Sequence, residues 1–144
     1  MTVNWSGPEE ETPARALSRR SMDAVCRKAK DEWLALFAPD AFVQDPVGPS
    51  PLDEDGKGHH GLAAISTFWD NTVAHTERFE FTIRDSFAAG DEVANVGTIT
   101  SYLPSDQRID AEGVFVYRAT EDGRIHSLRA FWEFNRALTT LRPA

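Results

Sequence analysis

Cysteine is almost absent from this chain. Cys26 stands alone, which rules out an intrachain disulfide and is consistent with a reducing compartment. No apolar run approaches the ~20 residues that a membrane-crossing helix needs. Basic charge is also scarce: 15 Lys and Arg face 23 Asp and Glu, for a net charge of -8. A nucleic-acid backbone or an anionic membrane surface is therefore repelled rather than attracted. Gly-rich phosphate loops, a nucleophile elbow and carboxylate–histidine sets at metal-ligand spacing are all lacking. Neither a nucleotide cofactor nor a metal is implied. The opening stretch carries Glu9, Glu10 and Glu11 and no apolar segment, so it does not read as a signal peptide, and the cytoplasm is the expected location.

What the chain does contain is a large aromatic complement. Four Trp and nine Phe in 144 residues give one domain enough rigid apolar material for a core and for the wall of a pocket. Met1 to Pro13 is polar and aperiodic and is expected to be a frayed tail. The domain is expected to run over 14–136, with a second short tail over 137–144. From Ala14 the pattern turns helical, with Met22, Val25, Cys26 and Ala29 on one face. Asp31 is placed to cap a second, shorter helix whose Trp33, Leu34 and Phe37 face inward. Ala41 to Asp45 reads as a short strand closed by Pro46. Val47 to Gly61 forms a long loop suited to a surface flap or a lid. Leu62, Ile65, Phe68, Trp69 and Val73 make a third amphipathic helix. Strands follow around Phe79–Arg84, Val93–Tyr102, Ile109–Ala119 and Arg124–Phe134, separated by short turns, which implies an antiparallel meander. Helices first and a one-sided sheet second predict an α+β fold with three helices packed on the concave face of a curved sheet.

Three segments carry a family resemblance. Leu36-Phe37-Ala38-Pro39-Asp40-Ala41-Phe42-Val43-Gln44-Asp45-Pro46-Val47-Gly48 resembles the segment of bacterial ketosteroid isomerases in which a helix gives way to a strand closing on Asp-Pro. Gly61-Leu62-Ala63-Ala64-Ile65-Ser66-Thr67-Phe68-Trp69 resembles their third helix. Asp122-Gly123-Arg124-Ile125 through Ala130-Phe131-Trp132 resembles their last hairpin. The order holds from about Ser18 to Asn135, and the chain is identified as a ketosteroid isomerase-like, SnoaL-like member of the NTF2-like superfamily. The resemblance implies that superfamily's cone-shaped sheet, a small hydrophobic ligand such as a steroid or polyketide, and a homodimer paired through the outer sheet face, where Val114 and Val116 point.

In the isomerases the aspartate of the Asp-Pro pair is the general base, and the resemblance gives that role to Asp45. A carboxylate can take a proton from carbon only if it is ionised, held close and partly dried. The enolate so formed needs hydrogen-bond donors, which the family supplies with a tyrosine and a protonated aspartate. Here the pattern departs. The tyrosine position falls on Ser21, and the acid position falls on Gly113, or on Glu112 if a bulge shifts the register. Two supporting tyrosine positions fall on Phe37 and Trp69. Phe115 and Trp132 join Ser21, Phe37, Trp69 and Gly113 as expected ligand-binding residues, and either of the chain's two tyrosines, Tyr102 or Tyr117, is available as a donor from another direction. Glu112 and Asp110 alternate with the Ala111, Gly113 and Phe115 face and are expected to point outward. His59 and His60 are adjacent in a Gly-rich loop, where two side chains rarely converge on one metal ion; His60 is placed to reach the pocket rim.

Three functions remain open at this level. The first is acid–base proton transfer on a hydrophobic carbonyl compound. The second is a non-catalytic ligand-binding or dimerisation module. The third is another lyase or an epoxide hydrolase, which would need an arginine, from Arg84, Arg118 or Arg129, bridging two acids in the pocket.

Overall fold

Thr12 and Pro13 set the start of the first helix. Thr12 is extended and its side chain accepts the Arg15 N–H at 3.3 Å, while Pro13, which has no N–H to lose, opens helix α1 (Pro13–Cys26). Computed as a structural model, the protein is described over residues 2–144. Ala14, Leu17, Ser18, Ser21, Met22 and Val25 recur at helical spacing along the buried face of α1. Helix α2 (Lys30–Ala35) is short and begins one residue ahead of the expected cap: Ala29 occupies the cap position, and Asp31 lies in the first turn, where its charge favours the helix dipole. Helix α3 (Leu62–Asn71) buries Ile65, Phe68 and Trp69, and a 3-10 turn (Val73–His75) follows it.

The sheet is strongly curved and does not close. Its strands are β1 (Val3–Trp5), β2 (Phe37–Gln44), β3 (His59–His60), β4 (Arg78–Ala89), β5 (Glu92–Leu103), β6 (Gln107–Ala119), β7 (Ile125–Phe131) and β8 (Arg142–Pro143). They lie in the order β1-β4-β5-β6-β7-β2-β3, with β8 paired to β6. The meander β4 to β7 is antiparallel as expected, but β1 pairs with β4 and β2 with β7 in parallel. Phe37 opens β2 opposite Ile125 rather than ending a helix, and a register shift between Phe37 and Phe42 separates its pairing from the rest. A further helix, α4 (Phe134–Leu138), packs against β6.

The expected tails are parts of the fold. Val3 to Trp5 lie along Phe81 to Ile83, and the Arg19 guanidinium sits 4.5 Å from the Trp5 ring centroid, so backbone pairing and a cation–π contact hold the N-terminal segment. At the other end Arg142 joins the Asp110 carboxylate at 3.2 Å while β8 pairs with Gln107 and Arg108.

A bulge decides what the helices meet. On β4 the inward residues are Phe79, Phe81 and Ile83; the register shift between Ile83 and Asp85 then turns Ser86 inward instead of Asp85. Ser86 Oγ accepts from Arg15 Nε at 3.0 Å and donates to Asn95 Oδ1 at 2.7 Å, and Asn95 Nδ2 donates to Ser18 Oγ at 3.0 Å. All four side chains are buried, and their mutual bonds offset the desolvation that would otherwise expel them. This network anchors α1 across β4 and β5 and so fixes the position of Ser21, further along the same helix.

Candidate active site

Between the concave face of the sheet and the helices lies a cavity of about 390 Å³, within the range of small-molecule sites. Its walls are apolar: Phe79, Phe81 and Ile83 from β4, Ile99 from β5, Phe115 from β6 and Leu128 from β7. The lining extends to His75, which is exposed, and to Leu52, contributed by the loop between β2 and β3; the expected loop over 47–61 is broken by β3. Polar groups gather in the interior, where Ser21, Trp33, Tyr117, Asp45 and Trp132 share the wall.

Asp45 comes directly after the last residue of β2. The parallel pairing of Gln44 with Arg129 carries it alongside the end of β7, and the Val47 N–H to Ala130 carbonyl bond of 2.8 Å fixes the chain beyond it. Trp132, one residue past β7, donates its indole N–H to Asp45 Oδ1 at 2.6 Å. A bond of this kind favours the ionised form of the carboxyl, because a donor strengthens with the charge it faces. Asp45 is half-buried, because it forms part of the cavity wall. Burial pushes its carboxyl above the usual carboxylate range, while the Trp132 bond and the nearby His59 draw it back in part. The result is a base stronger than an ordinary aspartate, facing an apolar space.

A second polar group faces the same space. Ser21 Oγ accepts the Trp33 indole N–H at 3.1 Å and lies 3.0 Å from Tyr117 Oη. Tyr117 comes from β6, on the inward face shared with Ala111 and Phe115, and reaches across to α1. Burial pushes the Tyr117 hydroxyl's ionisation far upward, against the pull of the Ser21 bond and with a further contribution from the Asp45 charge. Tyr117 therefore remains a neutral phenol.

Among the expected site residues, Asp45, Ser21, Phe115 and Trp132 line the cavity, and Phe37, Trp69 and Gly113 do not. Phe37 and Trp69 instead pack on Trp33, with ring centroids at 4.6 and 5.1 Å, and hold that indole against Ser21. Gly113 faces backbone: a Cβ there would lie 2.0 Å from the Phe131 carbonyl oxygen and 3.2 Å from Trp132 Cβ, so its role is to admit the chain that carries Trp132. Glu112 and Asp110 point away from the cavity as expected. Glu112 pairs with Arg136 at 2.6 Å, and Asp110 accepts from Thr100 at 2.7 Å. His60 does not reach the rim. It stacks on Phe42 at 5.2 Å, while His59 turns toward Phe68 at 4.9 Å. Trp33 and Tyr117 also line the cavity, and the two-residue period of β6 puts Tyr117 on the same face as Phe115. Asp45 is the only carboxylate in the cavity wall among the described residues, and Arg84, Arg118 and Arg129 all lie outside it.

Comparison with known proteins agrees with this geometry. Residues 18–128 match the SnoaL-like domain. The chain belongs to the SnoaL-like family, within the NTF2-like superfamily. A relative of this SnoaL-like chain, the steroid Delta-isomerase of Nocardioides simplex, is 30% identical over 118 residues, covering 82% of this chain and 88% of that protein. The crystal structure of the Delta 5-3-ketosteroid isomerase from Mycobacterium sp. superposes with a TM-score of 0.83 at 29% identity, covering 93% of this chain and 100% of that one. RV0760c from Mycobacterium tuberculosis, solved in complex with estradiol-17beta-hemisuccinate, gives a TM-score of 0.82 at 29% identity, with 92% and 99% of the two chains covered. The α+β fold of this SnoaL-like chain is thus the NTF2-like fold.

Proposed function

We propose that this protein is a ketosteroid isomerase-like enzyme that moves a proton between carbons of a steroid-like unsaturated ketone, with Asp45 as the base. The observation that carries the reading is the placement of a single basic carboxylate in an apolar cavity, held by one indole N–H. Asp45 takes the proton from the carbon between the carbonyl and the double bond. The released electron pair spreads onto the carbonyl oxygen as a dienolate, and the protonated Asp45 returns the proton at the far carbon, giving the conjugated ketone. Atoms balance without a cofactor, because the same carboxyl gives back what it takes. The apolar walls fit fused hydrocarbon rings, and the similarity to a steroid isomerase and to a protein bound to a steroid ester supports the substrate class.

Among the described residues no arginine lines the cavity, which disfavours the epoxide-hydrolase reading. A binding role without turnover draws support from Gly113, which offers no side-chain donor where the isomerases carry an acid. Activity on a β,γ-unsaturated 3-ketosteroid, read as the appearance of conjugated-enone absorbance, separates the two. Turnover in the wild type that falls by about 10²-fold or more in Asp45→Asn is expected, general-base contributions being of that order. No turnover in either, with steroid binding retained, would leave a binder.

A further inference from the structure

We propose that Ser21 and Tyr117 act as a paired hydroxyl donor that presents one hydrogen to the ligand's carbonyl oxygen, in place of a single tyrosine. The inference rests on the isomerase reading for its substrate and on a count of hydrogens for its substance. An indole N–H can only donate, so the Trp33–Ser21 contact of 3.1 Å occupies one acceptor site on Ser21 Oγ. The contact of 3.0 Å between Ser21 Oγ and Tyr117 Oη uses one hydroxyl hydrogen, whichever of the two oxygens supplies it. Two hydroxyls carry two hydrogens. The second has no acceptor among the described residues, since Trp33 and Tyr117 are the only partners of the Ser21 hydroxyl, and Ser21 is the only partner of the Tyr117 hydroxyl.

Both oxygens belong to cavity-lining residues that keep only 1% and 5% of their surface open, so each presents a small patch to the space. A buried hydroxyl hydrogen without an acceptor is costly, and a carbonyl oxygen entering the cavity removes that cost. The Trp33 bond also polarises Ser21, which strengthens whatever the pair donates. The arrangement explains how a serine serves where the isomerases carry a tyrosine on the first helix. Serine is too short to project far into the cavity, and the space it leaves is entered by a phenol from the opposite wall, on β6. Burial holds Tyr117 in its neutral form, so it keeps the hydrogen that it donates.

The test uses testosterone, a Δ4-3-ketosteroid, with its C3 carbonyl labelled with carbon-13, and reads the carbonyl stretch by difference infrared spectroscopy. In the wild type the stretch is expected to fall below its value in water. Ser21→Ala and Tyr117→Phe each leave one hydroxyl free, so each is expected to lose part of the shift and to lower kcat by about tenfold with little change in KM. The double variant has no hydroxyl left; it should lose the shift entirely and lower kcat by about 10²–10³-fold, the range for an oxyanion donor. Asp45→Asn should keep the shift. A folded double variant that binds the steroid with the wild-type frequency overturns the proposal, as does a wild type that binds no steroid. If the double variant does not fold, wild-type frequencies in both single variants overturn it equally. A shift that depends on Ser21 and Tyr117, in a protein whose turnover is nil or indifferent to Asp45, would sustain the donor pair and remove the isomerase reading.

Discussion

Trp132→Phe isolates the one hydrogen bond that holds Asp45, the proposed base. In the wild type the indole N–H reaches Asp45 Oδ1 at 2.6 Å, and Asp45 has no other hydrogen-bond donor among the described residues. Phenylalanine keeps an aromatic ring in the cavity wall and removes the donor. A hydrogen bond to a charged group contributes about 1.5–3 kcal/mol, and here it favours the ionised carboxylate over the protonated one. If Asp45 is the base, then on the acid limb of the profile, where Asp45 is mostly protonated, that loss corresponds to a fall in kcat/KM of about 10- to 150-fold. The direction with pH follows from the same bond. Burial already raises the carboxyl, the Trp132 bond lowers it, and removing the bond raises it further. The acid limb therefore moves to higher pH. Above the limb every molecule is ionised, the base is intrinsically stronger, and the rate should match or exceed that of the wild type. The assay is kcat/KM for a β,γ-unsaturated ketosteroid across the accessible pH range. A uniform loss at every pH with an unmoved limb would refute the reasoning and assign Trp132 a packing role only.

Two further predictions concern stability. Asp45 has a raised carboxyl in the folded state, so the folded protein binds its proton more tightly than the unfolded chain does; the resulting stability is present below the unfolded value of ~3.9 and is lost as pH rises through the folded one. Asp45→Asn should therefore melt higher than the wild type at neutral pH, with each kcal/mol recovered worth about 3–5 °C in a domain of this size, and the advantage should shrink toward pH ~4. A thermal-shift series showing no gap, or one of opposite sign, would contradict this. Gly113→Ala pushes a methyl into the Phe131 carbonyl, 2.0 Å away; strain of about 1–3 kcal/mol is expected in urea unfolding, together with slowed turnover as Trp132 is displaced from Asp45. Unchanged stability in the Gly113→Ala variant would mean that β7 yields freely there.

The periodicities were informative where one residue's environment is set by its immediate neighbours in the chain. The alternation in β6 put Ala111 and Phe115 inward and Glu112 outward, and the helical spacing of Met22 and Val25 marked the buried face of α1. Departures came where a distant strand decides the outcome. Val3 to Trp5 look aperiodic alone and become a strand only because β4 offers an unpaired edge. Phe37 has an apolar neighbourhood that suits a helix end or a strand start, and its pairing with Ile125 settles which. The expected ligand contacts at Phe37, Trp69 and Gly113 followed alignment with the isomerases, yet each of these residues lies behind the cavity wall and shapes it through Trp33 or Trp132.

On its own, the sequence determined the family, the meander, the inward faces and Asp45 as the candidate base, because these depend on local pattern and on motifs that survive as linear strings. Only the tertiary structure decided that Trp132 holds Asp45 and that Tyr117 meets Ser21. The first contact joins residues 87 positions apart and the second residues 96 apart. Neither leaves a mark in local spacing, because hydrogen bonds form between groups that the curvature of the sheet brings within about 3 Å, and that curvature is set by the pairing of all the strands together.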